Sequence, residues 1–165
     1  MTLTHKEKEL AAVAISVAAG CKPCTSYHLS AAQKSSAREE EIREAVAVAA
    51  EVRGGATEIM LRRGLGREED TSARPETSEP TRTRTLSAIG AAYAVNCTSS
   101  LKRHLEAAET LGISADEIQE VVQLAVFIKK MAAKHVERIL APESDAATPN
   151  PEARVAAGGC GCQPA

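Results

Sequence analysis

Two cysteines and a histidine near the N-terminus are spaced in a way that suits thiol chemistry. Cys21 and Cys24 have two residues between them, so the opening turn of a helix brings their sulfurs close enough for a disulfide. His28 follows Cys24 by one helical turn, which places the imidazole and the thiol on the same helix face. A helix N-terminus and a nearby imidazole both favour the thiolate form of a cysteine. The pattern predicts an activated thiol at Cys24.

A thiolate at Cys24 can attack a peroxide oxygen, giving a sulfenic acid, or a disulfide sulfur, giving a mixed disulfide. In both cases Cys21 is placed to resolve the product by closing a Cys21–Cys24 disulfide, which an external dithiol reductant must then reopen. The pair could also form half of a zinc site with His28 as a third ligand. No second C-x-x-C supplies the missing fourth ligand. We therefore predict redox chemistry without a metal or cofactor.

Composition argues against nucleic acids and membranes as partners. The 165-residue chain has a net charge of −2, no Trp, one Phe and two Tyr, so it offers neither a basic field for phosphates nor aromatic rings for bases. Its N-terminal segment is charged and no apolar run is long enough for a signal peptide or a membrane span. We expect a cytoplasmic protein. In that reducing compartment its five cysteines are not a structural disulfide framework.

Helical periodicity and the lack of any alternating strand pattern predict an all-α fold. The predicted helices cover residues 5–19, about 23–34, about 37–53 and 56–63 of the first half. Gly20 is predicted to end the first helix, and Gly54-Gly55 to end the third. Because alanine, valine, leucine and isoleucine must fill the core, little area is buried per residue, and we expect further helix faces to associate in a homo-oligomer.

The chain repeats itself at an offset of 76 residues without a gap. The matched pairs are Leu10 and Leu86, Ala18 and Ala94, Cys21 and Cys97, His28 and His104, Glu41 and Glu117, Glu44 and Glu120, and Ala49 and Ala125. This predicts an internal duplication of a helical unit, with the halves packed around a pseudo-two-fold axis. The predicted organisation is a first repeat with the dithiol (1–63), a polar linker (64–80), a degenerate second repeat (81–140) and a flexible tail (141–165).

The second repeat cannot run a dithiol cycle. It keeps Cys97 and His104 but has Ser100 where the second thiol would be and Thr85 at the position of Glu9. We expect a decayed duplicate that is kept for packing, with Cys97 as a small buried residue. The alternative is that Cys97 is a residual reactive thiol.

The tail contains a second pair of thiols, Cys160 and Cys162, one residue apart and preceded by two glycines. Such a pair can bind soft metals or metalloids and can exchange with another disulfide. An alternative hypothesis is therefore a binding protein for a thiophilic metal or a metalloid such as arsenic.

Glu9, eleven residues, Cys21-Lys-Pro-Cys24, three residues and His28 together resemble the signature of the alkylhydroperoxidase D-like branch of the carboxymuconolactone decarboxylase family. The resemblance covers roughly residues 5–140. It implies an all-helical fold and peroxidase or disulfide reductase activity on a hydroperoxide or disulfide substrate. It also implies a relay in which Glu9 and His28 assist deprotonation of Cys24, the peroxidatic thiol, while Cys21 resolves. The resemblance to members with two repeats in one chain further implies a homotrimer, which contains six helical units.

At the cysteine pair this chain differs from two kinds of family member. The best-known peroxidase of the family has His before the second cysteine, whereas this chain has Pro23. Single-repeat decarboxylases of the family lack the paired cysteines, so the pair argues against lactone decarboxylation. Glu9 is selected by the resemblance alone, because a carboxylate in a charged run usually belongs to a solvated helix face.

Overall fold

The computed structural model describes residues 2–67 and 79–140, which form six α-helices and contain no strand. The helices are α1 (His5–Ala18), α2 (Lys22–Lys34), α3 (Glu39–Gly64), α4 (Arg82–Ala94), α5 (Thr98–Thr110) and α6 (Ala115–Leu140). The all-α prediction is confirmed. Most of the predicted linker and the whole predicted tail lie outside the described residues. None of the described helices is both long and apolar enough to cross a membrane.

The two halves repeat one helical pattern, as the sequence offset predicts. Helices α2 and α5 each have 13 residues, and α3 and α6 each have 26. Even the turns correspond, because Gly20 and Asn96 follow α1 and α4 with positive φ angles of 70° and 58°. Asparagine tolerates the left-handed conformation better than most residues, so it can replace glycine there. The duplicated helical unit is thus visible in the backbone as well as in the sequence.

Helices α1 and α4 form the centre of the molecule. Leu10–Ile15 of α1 are all buried, because α1 contacts α2, α3, α4 and α6. Helix α4 likewise contacts α1, α3, α5 and α6, so each central helix packs against the long helix of the other half. A Cβ atom at Gly90 would lie 2.6 Å from Ile15 Cγ1, so the close approach of the two helices requires a glycine.

The predicted third and fourth helices are one helix, and the prediction that Gly54-Gly55 ends the third is wrong. Neither glycine has the positive φ of a helix terminus, and helix α3 continues to Gly64 before Gly66 adopts a φ of 66°. A glycine inside a helix costs about 1 kcal/mol relative to alanine. The helix formers between Ala56 and Arg63 and the packing of the preceding turns offset that cost.

Repeat-related ion pairs connect the first and third helices of each half. Lys6 Nζ lies 2.9 Å from Glu41 Oε1, and at the equivalent positions Arg82 Nη2 lies 2.7 Å from Glu117 Oε1. Glu41 also accepts the backbone N–H of Arg38 at 2.8 Å. This backbone bond and then Lys6 lower the pKa of Glu41 to about 2. The Arg82 guanidinium and the Ser114 N–H lower the pKa of Glu117 to about 2 as well.

Other ion pairs cross between the halves. Arg82 also binds Glu7 of α1, with its Nε 2.7 Å from the carboxylate. Lys8 of α1 pairs with Glu120 of α6 at 3.0 Å, and Arg84 of α4 pairs with Glu51 of α3. Hence ion pairs as well as helix packing connect the two halves.

Candidate active site

The N-terminus of α2 holds the two cysteines. Cys21 is the N-cap residue, Pro23 occupies the first turn, and Cys24 is bonded to Cys21 through a disulfide with the Cα atoms 5.3 Å apart. The Cys24 backbone N–H donates to Cys21 Sγ at 3.3 Å, so the sulfur takes the place of a capping oxygen. Both residues are buried, Cys24 completely.

The turn before Cys21 is fixed from the third helix. Arg53 of α3 donates from Nη1 to the carbonyl oxygen of Ala18 at 2.9 Å, at the C-terminal end of α1. Gly20 then turns the chain into α2, and a Cβ atom there would lie 2.7 Å from the Arg53 guanidinium. The position of the cysteine pair therefore depends on α1 and α3 as well as on α2.

His28 lies one turn beyond Cys24 and is paired with a carboxylate from the first helix. Its Nδ1 is 2.9 Å from Glu9 Oε2, and the ring is only 2 % exposed. The Tyr27 ring meets the imidazole edge-on, with ring centroids 5.1 Å apart. The structure thus brings Glu9, which the resemblance alone selects, into contact with His28.

The carboxylate determines what the imidazole can do. A carboxylate accepts a hydrogen bond, so Nδ1–H···Oε2 pairing places the ring proton on Nδ1 and leaves Nε2 with a lone pair. His28 Nε2 is buried and has no hydrogen-bond partner within the described residues. A buried imidazole with a free basic nitrogen, held by a carboxylate, has the arrangement of a general base.

A third side chain that the sequence patterns do not select lies beside the disulfide. His135 of α6 places a ring nitrogen, and Cys21 and Cys24 their sulfurs, all within 4.8 Å of one another. The repeat gives no sign of it, because position 135 corresponds to Ile59. Only the packing of α6 against α2 brings His135 there. These three residues could hold a metal when the sulfurs are reduced.

The second half retains the shape of the site without its chemistry. Cys97 is the N-cap residue of α5 as Cys21 is of α2, but its side chain makes no capping hydrogen bond. Its sulfur is a free thiol, and Ser100 stands where Cys24 would be. His104 and Thr85 are buried at the positions of His28 and Glu9. Cys97 is partly exposed, so the expectation that it is a buried residue is wrong.

The thiol pair of the tail, Cys160 and Cys162, lies outside the described residues, so its role stays a prediction.

A family model described as the carboxymuconolactone decarboxylase family matches residues 2–63 and residues 70–141. The two matches correspond to the two halves of the duplicated fold. No curated protein and no solved structure matches the chain significantly.

Proposed function

Because the chain belongs to the carboxymuconolactone decarboxylase family, we propose that it is a thiol-dependent peroxidase that cycles Cys21 and Cys24 between dithiol and disulfide. The observation that carries the proposal is the Cys21–Cys24 disulfide at the N-terminus of α2, one helical turn from a buried histidine–carboxylate pair. Lactone decarboxylation would give the two cysteines no chemical role.

In the first step the Cys24 thiolate attacks the terminal oxygen of a hydroperoxide. The O–O bond breaks, the sulfur is oxidised to a sulfenic acid, and the alkoxide leaves with a proton as an alcohol. His28 Nε2 takes the thiol proton beforehand and returns it to the leaving oxygen, while Glu9 holds the ring and stabilises its charged form. Both residues act on protons and are not consumed.

The second step closes the disulfide. The Cys21 thiolate attacks the Cys24 sulfur, the S–O bond breaks, and hydroxide leaves with a proton as water. An external dithiol then attacks the disulfide through a mixed-disulfide intermediate, supplies two electrons and leaves as its own disulfide. A disulfide substrate in place of the peroxide would enter by the same exchange.

The test is to add tert-butyl hydroperoxide to the reduced protein and to map disulfides by mass spectrometry. We expect a Cys21–Cys24 disulfide, and an alcohol released in equal amount. Cys24→Ser should abolish turnover, whereas Cys21→Ser should stop after one event with a sulfenic acid that dimedone traps. Cys97→Ser is the matched control, because it removes the equivalent N-cap thiol of the second half and should leave turnover unchanged.

Two results would contradict the proposal. One is that Cys21 and Cys24 both remain free thiols after exposure to the peroxide. The other is that Cys24→Ser turns over at the rate of the parent protein.

A further inference from the structure

We propose that the reduced Cys21, Cys24 and His135 side chains form a binding site for a thiophilic divalent cation of the Zn²⁺ class. The two cysteines come from the first repeat, and the histidine comes from the last turns of α6 in the second repeat. Their donor atoms lie within 4.8 Å of one another. The site requires only that the disulfide can be reduced, so it does not depend on peroxidase activity.

The donor set fits zinc. Two thiolates and one imidazole are ligands that Zn²⁺ prefers, and three protein ligands leave a fourth position for water. With Zn–S bonds of about 2.3 Å and Zn–N bonds of about 2.0–2.1 Å, neighbouring donors of a tetrahedral site are roughly 3.6–3.8 Å apart. Once the disulfide is reduced, the two sulfurs are free to move apart from bonding distance to this separation, and a shift of about 1 Å by the His135 ring would then complete the geometry. The two thiolate charges balance the cation, so burial of the complex creates no net charge.

The state of His135 supports a ligand role. Its Nε2 is buried and lacks a hydrogen-bond partner among the described residues, although a buried polar atom is normally satisfied. Arg138 Nη1 lies 3.5 Å from the other ring nitrogen, Nδ1, on the exposed side. A guanidinium can only donate, so this contact keeps the proton off Nδ1 and places it on Nε2 in the absence of a metal. A metal would bind Nε2 once the ring proton has moved to Nδ1, or would bind the lone pair of Nδ1 in place of the Arg138 contact.

Metal binding and disulfide formation exclude each other at this site. In the disulfide each sulfur is bonded to the other, and neither is a thiolate that can bind a cation. Binding to the reduced pair releases the two thiol protons and involves no electron transfer. Conversely, a hydroperoxide can oxidise the metal-bound dithiolate by two electrons: with two protons taken up from water, the disulfide forms, the hydroperoxide is reduced to alcohol and water, and the cation is released. The cation thus competes with oxidants for the same two sulfurs.

The experiment uses the full chain with Cys160→Ser and Cys162→Ser, so that the tail thiols cannot contribute to metal binding. The reduced protein is titrated with Co²⁺, whose thiolate charge-transfer absorption reports sulfur ligation, and Zn²⁺ affinity is measured by competition with a chelator. We expect one cation per chain for the reduced protein and none after the Cys21–Cys24 disulfide has formed. His135→Gln should weaken Zn²⁺ binding by at least about tenfold.

His5→Gln is the control, because it removes an exposed histidine of α1 and should leave the affinity unchanged. His135→Cys replaces the imidazole by a thiolate, which also binds Zn²⁺, and should retain binding, which separates loss of a ligand from damage to α6. Zn²⁺ should also protect Cys21 and Cys24 from alkylation in the parent but not in His135→Gln. The proposal is overturned if His135→Gln binds Zn²⁺ as the parent does, if His135→Cys binds as weakly as His135→Gln, or if the oxidised protein binds equally well.

Discussion

At the scale of single residues, His28 and His104 occupy the same buried place in the two halves. What differs is the chemistry around them, because position 24 is a cysteine and position 100 a serine. The carboxylate Glu9 also binds His28, whereas Thr85 stands at the equivalent position. Substitution of His104 therefore measures the effect of altering a buried imidazole alone, whereas substitution of His28 also removes the proposed proton carrier.

We expect His28→Gln to lower the rate of hydroperoxide turnover by about 100-fold, the usual scale of a lost general base. His104→Gln should leave turnover within about twofold of the parent. Its free energy of unfolding should fall by about as much as that of His28→Gln. Steady-state kinetics and urea unfolding of both variants provide the comparison. An equal loss of turnover in the two variants would show that His28 acts only through packing.

Of the side chains at the site, Glu9 was predictable only from the family pattern, and His135 was not predictable from the sequence. Glu9 stands in a charged run that looks solvated, and only the family pattern selects it, yet it binds His28 at 2.9 Å. His135 could not be selected, because no local spacing relates it to Cys24 and its repeat partner is Ile59. Contacts between distant helices depend on how those helices cross, which a linear pattern does not contain.

At the scale of helices, replacing a glycine by alanine is expected to have opposite effects on stability at Gly55 and at Gly90. A Cβ atom at Gly55, inside α3, would meet no neighbouring atom within 4 Å, whereas a Cβ atom at Gly90 would collide with Ile15. Both glycines lie in helices without positive φ, so the space around them decides the effect of an added methyl group.

Gly55→Ala should stabilise the protein by about 1 kcal/mol, because alanine loses less backbone entropy in a helix. Gly90→Ala should destabilise it by about 1–3 kcal/mol, because α1 and α4 would have to move apart. Chemical denaturation with far-ultraviolet circular dichroism gives both values. Destabilisation by Gly55→Ala would mean that another surface covers that turn of α3.

Helix existence was predictable from the sequence, whereas one boundary was not. The 76-residue offset predicts the correspondence of Cys21 with Cys97, and the structure has both as N-cap residues. The same local reasoning placed a helix end at Gly54-Gly55, where the chain continues for another ten residues to Gly64. A glycine ends a helix only when its backbone adopts a terminal conformation, and neither Gly54 nor Gly55 has a positive φ here.

At the scale of the whole molecule, Arg82 connects the halves by binding Glu7 of α1 and Glu117 of α6 together. Glu117 is only 3 % exposed, and its pKa of about 2 lies below its ordinary value of 4.5. A carboxyl group with a lowered folded-state pKa stabilises the fold above its unfolded pKa. That contribution is lost as the pH falls from about 4.5 towards 2.

We expect Glu117→Gln to reduce the free energy of unfolding at neutral pH by about 2 kcal/mol, the scale of a hydrogen bond to a charged group. The variant should also lose stability less steeply than the parent between pH 4.5 and pH 2, because one titrating group is gone. Asp116→Asn, at the exposed neighbouring position, is the control. Parallel pH profiles for the parent and Glu117→Gln would contradict this account.

The fusion of two units into one chain also frees them from a constraint. In an assembly of identical single-unit chains, any substitution appears at every symmetry-related place at once. Here the place of Ile59 in one unit can be His135 in the other, and the place of Cys24 can be Ser100. Each half can therefore carry different side chains. The first half holds the two bonded sulfurs, and the second half places His135 beside them. Duplication within one chain thus allows equivalent positions of the two units to have different roles.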